Sequence, residues 1–355
     1  MTSATNYIAG ESRFATVLRA RLDRYFVEHG LSPKANFTML AKIVLGLGTW
    51  AAGFAILYSL PLNAWQVPLV YVLLALPQTF LILNVAHDSI HNAVSRDGFA
   101  NKLLAYIYDG CGVSSYLVRI LHNHGHHSSI NLLGEDDPLG GRRVFRFTRH
   151  APRKGINRFQ HFYAVVFYAM FSLDYVFLRD FEDFFRPNLP YLKRTQHPKR
   201  EYVILFAGKL AYLTYMLALP IFHLGYSPAS VILGFFLMHF VVGFLVAVVF
   251  APTHILECND FPRSRSEYQD YVHHIFATTC DFATESPLVT WLTGGLNHHI
   301  VHHICPQVCH AHYPELTKIV KETAAEFQIP YRELPTMRGA LGAHYSFLKR
   351  LAQEA

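Results

Sequence analysis

Apolar residues in this chain fall in long unbroken runs rather than in the alternating or striped patterns of a soluble domain. Four runs, near 38–60, 66–86, 202–222 and 230–251, each supply the roughly 20 apolar residues that a helix needs to cross a hydrocarbon core. The connections 61–65 and 223–229 are short and contain neither Lys nor Arg. They predict the outer turns of two helical hairpins, which places both termini on one side. Arg13, Arg19, Arg21, Arg24, Lys34 and Lys42 precede or open the first run, and Lys193, Arg194, Lys199 and Arg200 precede the third. By the positive-inside rule that side is cytoplasmic.

The stretches 87–200 and 253–355 are mixed in polarity and predict a helical cap on the cytoplasmic side. Within them, 161–177 is aromatic and apolar but runs into Arg179, Asp180, Glu182 and Asp183, a pattern expected of an interfacial helix. There is no repeat, low-complexity tract or linker. The expectation is therefore a single domain, 1–355, of the all-α integral-membrane class, with four transmembrane helices in two hairpins and a cytoplasmic helical cap.

Composition agrees with this picture. Hydrophobic residues make up 52% of the 355 residues and charged residues 16%, against about 25% charged in soluble domains; mean hydropathy is +0.18. Residues 1–12 show no basic segment leading into an apolar run, so insertion is expected to use the internal spans. Cys111, Cys258, Cys280, Cys305 and Cys309 follow neither a disulfide framework nor a Cys-x-x-Cys zinc pattern and are expected to be reduced thiols. The basic run from Gly141 to Lys154, with Arg142, Arg143, Arg146, Arg149 and Arg153, suits anionic lipid headgroups or an acidic acyl carrier. No partner of the nucleic-acid class is expected.

Histidine changes the picture, because 22 are present and histidine is the commonest metal ligand. His87 and His91 are spaced i, i+4, so one helical face presents both. His122, His126 and His127 repeat that spacing, as do His299, His302 and His303. All three clusters fall on the predicted cytoplasmic side. This convergence points to metal binding; neutral imidazole suits iron, zinc and copper alike. His29, His150, His197, His223 and His344 stand alone and read as ordinary interfacial or packing residues. His239 lies inside the fourth run, 15 residues and roughly 22 Å of helix before His254, too far to join the clusters.

The His-x-x-x-His, His-x-x-x-His-His and His-x-x-His-His boxes resemble those of the membrane fatty acid desaturases. So do Trp291-Leu-Thr-Gly-Gly-Leu-Asn297 before the third box and His310-Ala-His312-Tyr-Pro-Glu after it. The likeness covers roughly 87–335 and is to the front-end and bacterial acyl desaturase branch. The resemblance implies nine metal ligands: His87, His91, His122, His126, His127, His254, His299, His302 and His303. The chain has His299 where front-end members often have Gln, and a shifted register would use His298 in its place. His124, His274, His298 and Asn297 are expected beside the ligands rather than among them. Glu135, Asp136, Asp137 and Pro138 resemble an acidic family segment, read as a solvated loop that helps to order the second box.

The resemblance also implies two Fe2+ ions, dioxygen as co-substrate, and double-bond formation in a fatty acyl chain carried by lipid, CoA or acyl carrier protein. Hydroxylases and acetylenases share this scaffold. A metal transporter or zinc-dependent receptor is the alternative of another class, but transporters bind near the bilayer midplane whereas these clusters follow the spans. No nucleotide-binding glycine loop follows a strand; Gly46, Gly48 and Gly53 lie in the first run, where small residues serve helix packing. Electrons are therefore expected from a separate ferredoxin or cytochrome-type haem protein with its reductase.

Overall fold

The computed structural model describes residues 7–8, 10–136, 144–189 and 196–354. The principal helices are α1 (Arg13–Glu28), α2 (Phe37–Ser59), α3 (Gln66–Leu81), α4 (Gln160–Asp174), α5 (Lys199–Leu213), α6 (Pro228–His254), α7 (Tyr271–Thr278), α8 (His299–Ile304), α9 (Tyr313–Glu326) and α10 (Met337–Gln353). One short parallel bridge, β1 (Asp281–Phe282) with β2 (Glu333–Leu334), departs from the all-α expectation. The chain forms two units that alternate along the sequence. The first comprises Met1–Asn36, Leu121–Ala164 and Val249–Ala355; the second comprises Phe37–Ile120 and Val165–Val248.

The second unit holds most of the apolar helical length. Among the described residues five helical stretches are long and apolar enough to cross a membrane: Phe37–Ser59, Gln66–Ile90, Gly155–Phe185, Lys199–His223 and Pro228–His254. Leu40, Val44, Leu45 and Leu47 of α2 are exposed, as lipid-facing residues would be, since a helix apolar all round must be covered by protein or lipid. Gly46 and Gly53 let α2 approach α3; a Cβ on Gly53 would lie 2.5 Å from Leu74.

Four spans were expected, and Gly155–Phe185 is the fifth helical stretch of sufficient length. Its acidic end, taken from sequence as a mark of the interface, is neutralised within the unit. Asp180 is buried against Lys209 Nζ at 2.6 Å and accepts the Ser114 N–H at 2.7 Å. Lys209 also donates to the Gly112 and Tyr175 carbonyls. Asp183 is paired with Arg179 at 2.9 Å and Arg186 at 3.0 Å. Burial is tolerable for such groups because each charge has a partner and hydrogen bonds. His239 is buried as well, with Ser172 Oγ at 2.8 Å and Tyr212 OH at 2.7 Å on its two ring nitrogens; it packs among helices, as its distance along α6 requires.

The first unit is a helical body whose larger apolar core gathers four helices. Phe14, Leu18 and Leu22 of α1, Ile275 and Phe276 of α7, Ile300 and Val301 of α8, and Leu316 and Val320 of α9 are buried together. Phe14 meets Phe276 edge-on with ring centres 5.3 Å apart. Helix starts are tied to one another. Ser12 caps α1 through Ala15 N, and its own N–H donates to Asp270 Oδ2 at 2.8 Å, while Asp270 Oδ1 caps α7 through His273 N.

Arg142 and Arg143 lie outside the described residues, as do Asp137 and Pro138. Arg146 is not a free docking residue. Its buried guanidinium donates to the carbonyls of Ala151, Leu351, Glu354 and Arg149 at 2.7–3.2 Å, closing the C-terminal end of α10. Gln160 completes this knot, accepting from Arg146 N at 2.9 Å and donating to Leu348 O at 2.9 Å.

Candidate metal centre

Seven of the nine expected ligands belong to the first unit: His122, His126, His127, His254, His299, His302 and His303. Three elements bring them. The 120–128 segment carries the second box, the last residue of α6 is His254, and α8 carries the third box. The second box is not the regular α-helix that its spacing predicts. Ile120–Gly125 is a π-helical turn followed by a 3-10 turn at His126–Ser128, a distortion that is frequent at functional sites. His122 and His126 nonetheless stack, with ring centres 5.5 Å apart.

Four imidazoles, those of His126, His254, His299 and His303, present ligand nitrogens that all lie within 4.8 Å of one another, and all four rings are buried. His254 Nε2 lies 3.1 Å from His126 Nε2, 2.9 Å from His299 Nε2 and 3.2 Å from His303 Nε2. The outer nitrogens fix the tautomers. His126 Nδ1 faces Asp136 at 3.1 and 3.3 Å, His254 Nδ1 faces Thr278 O at 3.3 Å, and His299 Nδ1 faces Leu296 O at 3.0 Å. Oxygen acceptors at Nδ1 require the proton there, so the Nε2 atoms of His126, His254 and His299 turn bare lone pairs toward a common point that His303 Nε2 also approaches. Lone pairs so placed repel unless a cation lies among them, and this donor set therefore fits a metal ion. Burial, with the neighbouring imidazoles adding to it, holds His303 well below the usual histidine range, which keeps it neutral as a ligand must be.

His122, His127 and His302 form an adjoining group. His127 Nε2 and His122 Nε2 are 3.1 Å apart, and the His127 and His302 ring centres are 4.7 Å apart. Tyr313 OH lies 3.3 Å from His302 Nδ1. His87 and His91 belong to the second unit. There α3 continues through a π turn, Ile82–Ala86, into His87–Ile90, and the two buried rings stand with centres 4.9 Å apart.

Of the neighbours expected beside the ligands, His298 turns away from the cluster, with Thr290 Oγ1 at 3.0 Å and Thr317 Oγ1 at 2.8 Å on its two nitrogens. His299, not His298, is the ring that converges with His126, His254 and His303. Asn297 donates to Ala283 O and Thr290 Oγ1 and accepts from Thr293 Oγ1, which braces the turn into α8. That turn needs its glycines. Gly294 and Gly295 have φ of 64° and 69°, and a Cβ on Gly295 would lie 2.9 Å from His310. His274 donates from Nε2 to Ile130 O at 2.7 Å and accepts from Tyr7 OH at 3.1 Å; burial brings its pKa down to about 4. It therefore pins the backbone just after the second box. His124 is exposed.

Three further residues order the site. Asp136, read from sequence as solvated, is buried and accepts from both His126 and Asn131 N. Asn131, at φ 54°, donates its amide to the carbonyls of His254, Asp260 and Thr278, joining the end of α6 to the segments at 260 and 278. Asp281 accepts the Ile300 N–H at 2.8 Å and so caps α8; burial raises its carboxyl to about 7. No local pattern announces these roles, since Asn131's partners are distant in sequence and Asp136 and Asp281 are seen to turn inward only in the folded chain.

The chain matches the family described as fatty acid desaturase over residues 62–335. It is 34% identical to an sn-1 linoleoyl-lipid 6-desaturase of Synechocystis sp., over 96% of each chain. It is 29% identical to a protein of the same name from Arthrospira platensis, covering 99% of this chain and 96% of that one. An acyl-lipid (8-3)-desaturase of Physcomitrium patens is 29% identical over 95% of this chain and 71% of its own length. The chain belongs to the fatty acid desaturase family.

Proposed function

We propose that this fatty acid desaturase is a di-iron enzyme that uses dioxygen to place a double bond in the acyl chain of a lipid, with electrons from an external protein. Membership of the family makes it an oxidoreductase of the membrane desaturase type. The lipid-bound substrate is supported by relatives named for linoleoyl-lipid and acyl-lipid desaturation. One observation carries the metal centre: the Nε2 atoms of His126, His254, His299 and His303 converge, and the first three of these rings face oxygen acceptors with their Nδ1 atoms. Bound iron would supply the dioxygen-dependent hydrogen removal from an unactivated methylene, which no side chain can perform.

The chain's own residues hold and orient. We assign the nine histidines named above as the ligand set; the support for His87 and His91 is their i, i+4 spacing, their burial and their place in the first family box. Asp136, Thr278 O and Leu296 O fix which nitrogen His126, His254 and His299 offer. Burial of the cluster keeps bulk water from the reacting centre. Zinc or copper would accept the same imidazoles, so iron rests on family membership. The electron donor is a ferredoxin or a cytochrome-type haem protein with its reductase.

The site is placed on the cytoplasmic side, with both termini there, four crossings and the whole chain acting as one domain. Parity supports this arrangement. His126 and His254 touch, and the chain between them contains Gly155–Phe185, Lys199–His223 and Pro228–His254. Three crossings would put the two residues on opposite faces, whereas two leave them on the same face. Gly155–Phe185, with its paired acidic end, is the stretch that lies along the interface. Tags near residue 62 and at residue 355 should then report opposite sides.

The test is metal content joined to product. Purified protein should hold about two irons per chain, and cells expressing it should gain an unsaturated acyl chain detectable by mass spectrometry. His126→Ala and His302→Ala should insert normally yet lose both metal and product. Near-normal product from either variant, or a hydroxylated product from the parent, would overturn the assignment.

A further inference from the structure

The turn Gly155–Phe159, which leads into α4, has its polarity reversed. Asn157 and Gln160, at 1% and 0% exposure, direct their amides into the first unit. Asn157 donates to Val144 O at 2.8 Å and accepts the Lys154 N–H at 2.8 Å, while Gln160 donates to the Arg146 and Leu348 carbonyls at 3.0 and 2.9 Å. Ile156, Phe159 and Phe162 instead stand outward, at 52%, 48% and 65% exposure. Their three-residue spacing stacks the first two on one side of the 3-10 turn. Water favours the opposite arrangement, with amides out and rings in, so an outward apolar face over a polar, hydrogen-bonded inner one marks a surface that something apolar covers.

Basic side chains frame this face. Arg153 precedes the turn, and the Arg158 guanidinium lies over the Phe159 ring at 4.4 Å. From α10, Tyr345 meets the His161 ring edge-on with centres 5.5 Å apart, and His161 packs on Phe162 at 4.1 Å. Lys349 follows Tyr345 by one helical turn, on the same side of α10. Arg153, Arg158 and Lys349 are exposed, and none has a carboxylate partner among the described residues. Neither 144–173 nor 337–353 contains an Asp or Glu, whereas Arg149 and Arg350 nearby share Glu257. We infer that Arg153, Arg158 and Lys349, with Ile156, Phe159 and Phe162, bind the headgroups of anionic phospholipids and seat the first unit on the bilayer.

The layering decides between a lipid and an acidic protein. Rings that enter the acyl boundary beside Arg and Lys side chains that reach phosphates are the arrangement of an interfacial helix. The same segment opens the apolar stretch Gly155–Phe185, so hydrocarbon is the neighbour continuous with it. This anchor presupposes the interfacial placement of that stretch proposed above and is independent of the chemistry at the histidines.

The experiment uses the full-length protein in neutral detergent, incubated with equal amounts of phosphatidylglycerol and phosphatidylcholine of matched chains, with bound lipid counted by native mass spectrometry. Each basic residue near an anionic surface is worth about fivefold in binding. Parent protein should therefore be enriched in phosphatidylglycerol, Arg158→Gln should cut the enrichment about fivefold, and Arg153→Gln/Arg158→Gln/Lys349→Gln should abolish it. Added salt should lower it in the parent, because exposed charges are screened. Arg13→Gln/Arg24→Gln, which removes two exposed charges elsewhere on the first unit, should leave it unchanged. In vesicles, a phospholipid carrying a diazirine on its acyl chain should label the 156–162 peptide. Equal retention of the two lipids by the parent, an unaltered preference in the triple variant, or an equal loss in the Arg13/Arg24 control would overturn the site. Absence of lipid-borne label from 156–162 would overturn the outward face. Shielding of Arg158 from phenylglyoxal by an acidic acyl carrier protein, but not by phosphatidylglycerol, would give the surface to a protein instead.

Discussion

Replacing Asp136 isolates what a carboxylate does for a histidine it never shares a metal with. Asp136 accepts two hydrogen bonds, from His126 Nδ1 at 3.1 Å and from Asn131 N at 2.9 Å, and it is almost wholly buried, at 1% exposure. A hydrogen bond to a charged acceptor contributes about 1.5–3 kcal/mol. Loss of a carboxylate that orients a metal-bound histidine lowers metal affinity roughly 10- to 100-fold, equivalent to about 1.4–2.7 kcal/mol. Asp136→Asn keeps an oxygen for one of the two donors and is expected near the tenfold end. Asp136→Ala leaves both donors without an acceptor and belongs near the hundredfold end. The assay is iron retained per chain after dialysis against graded chelator, alongside the thermal midpoint of the metal-free protein. Retention by Asp136→Ala within about twofold of the parent would refute the orienting role. So would a fall in metal binding that merely tracks an equal loss of stability in the metal-free protein.

Arg146→Gln should expose the end of α10 to protease and lower the thermal midpoint, because four carbonyls lose a buried cation; an unchanged cleavage pattern would deny the knot. His344 is buried with its Nδ1 against Ile255 O, and burial brings its pKa down to about 4. The unfolded chain binds that proton at about 6.5, so this residue's contribution is complete above pH 6.5 and falls by about 1.4 kcal/mol per unit down to about pH 4. His344→Gln should therefore flatten the decline in stability between pH 7 and 5, as read from thermal midpoints. Lys209→Met strands Asp180 in the second unit and should cost about 3–5 kcal/mol, with most of the loss recovered when Asp180→Asn is added; no recovery would show that the pair does not stand alone.

The three histidine boxes were legible in sequence because their spacing is local: i, i+4 geometry survives even where 120–125 winds as a π turn. The long apolar runs were equally plain. The acidic end of 155–185 was legible only in part: Asp183 pairs with Arg179 and Arg186 close by, whereas Asp180 finds Lys209 in another run, at which nothing nearby hints. Asp136 was seen as an acidic loop residue, because only the folded chain shows it turned inward against His126. Asn131 and Asp281 escaped notice for the same reason: their work is to join segments separated by a hundred residues or by a turn, through backbone groups that carry no sequence signature. Within the basic run only Arg146 departs from its reading, because it serves the carbonyls at the end of α10, to which no local pattern points.

Helix α6 ends on the histidine it delivers. Its 27 residues span roughly 40 Å at the standard rise, about 10 Å more than a typical hydrocarbon core. In the arrangement proposed above, His254 would be a ligand fixed to the tip of a rod, its height set by that rod and by the thickness of the bilayer through which the rod would pass. Thickening the bilayer would draw the tip toward the headgroups or straighten the helix's tilt, and thinning would lift it clear. Lipid composition, which desaturation itself alters, would thus bear mechanically on the depth at which the enzyme meets its substrate.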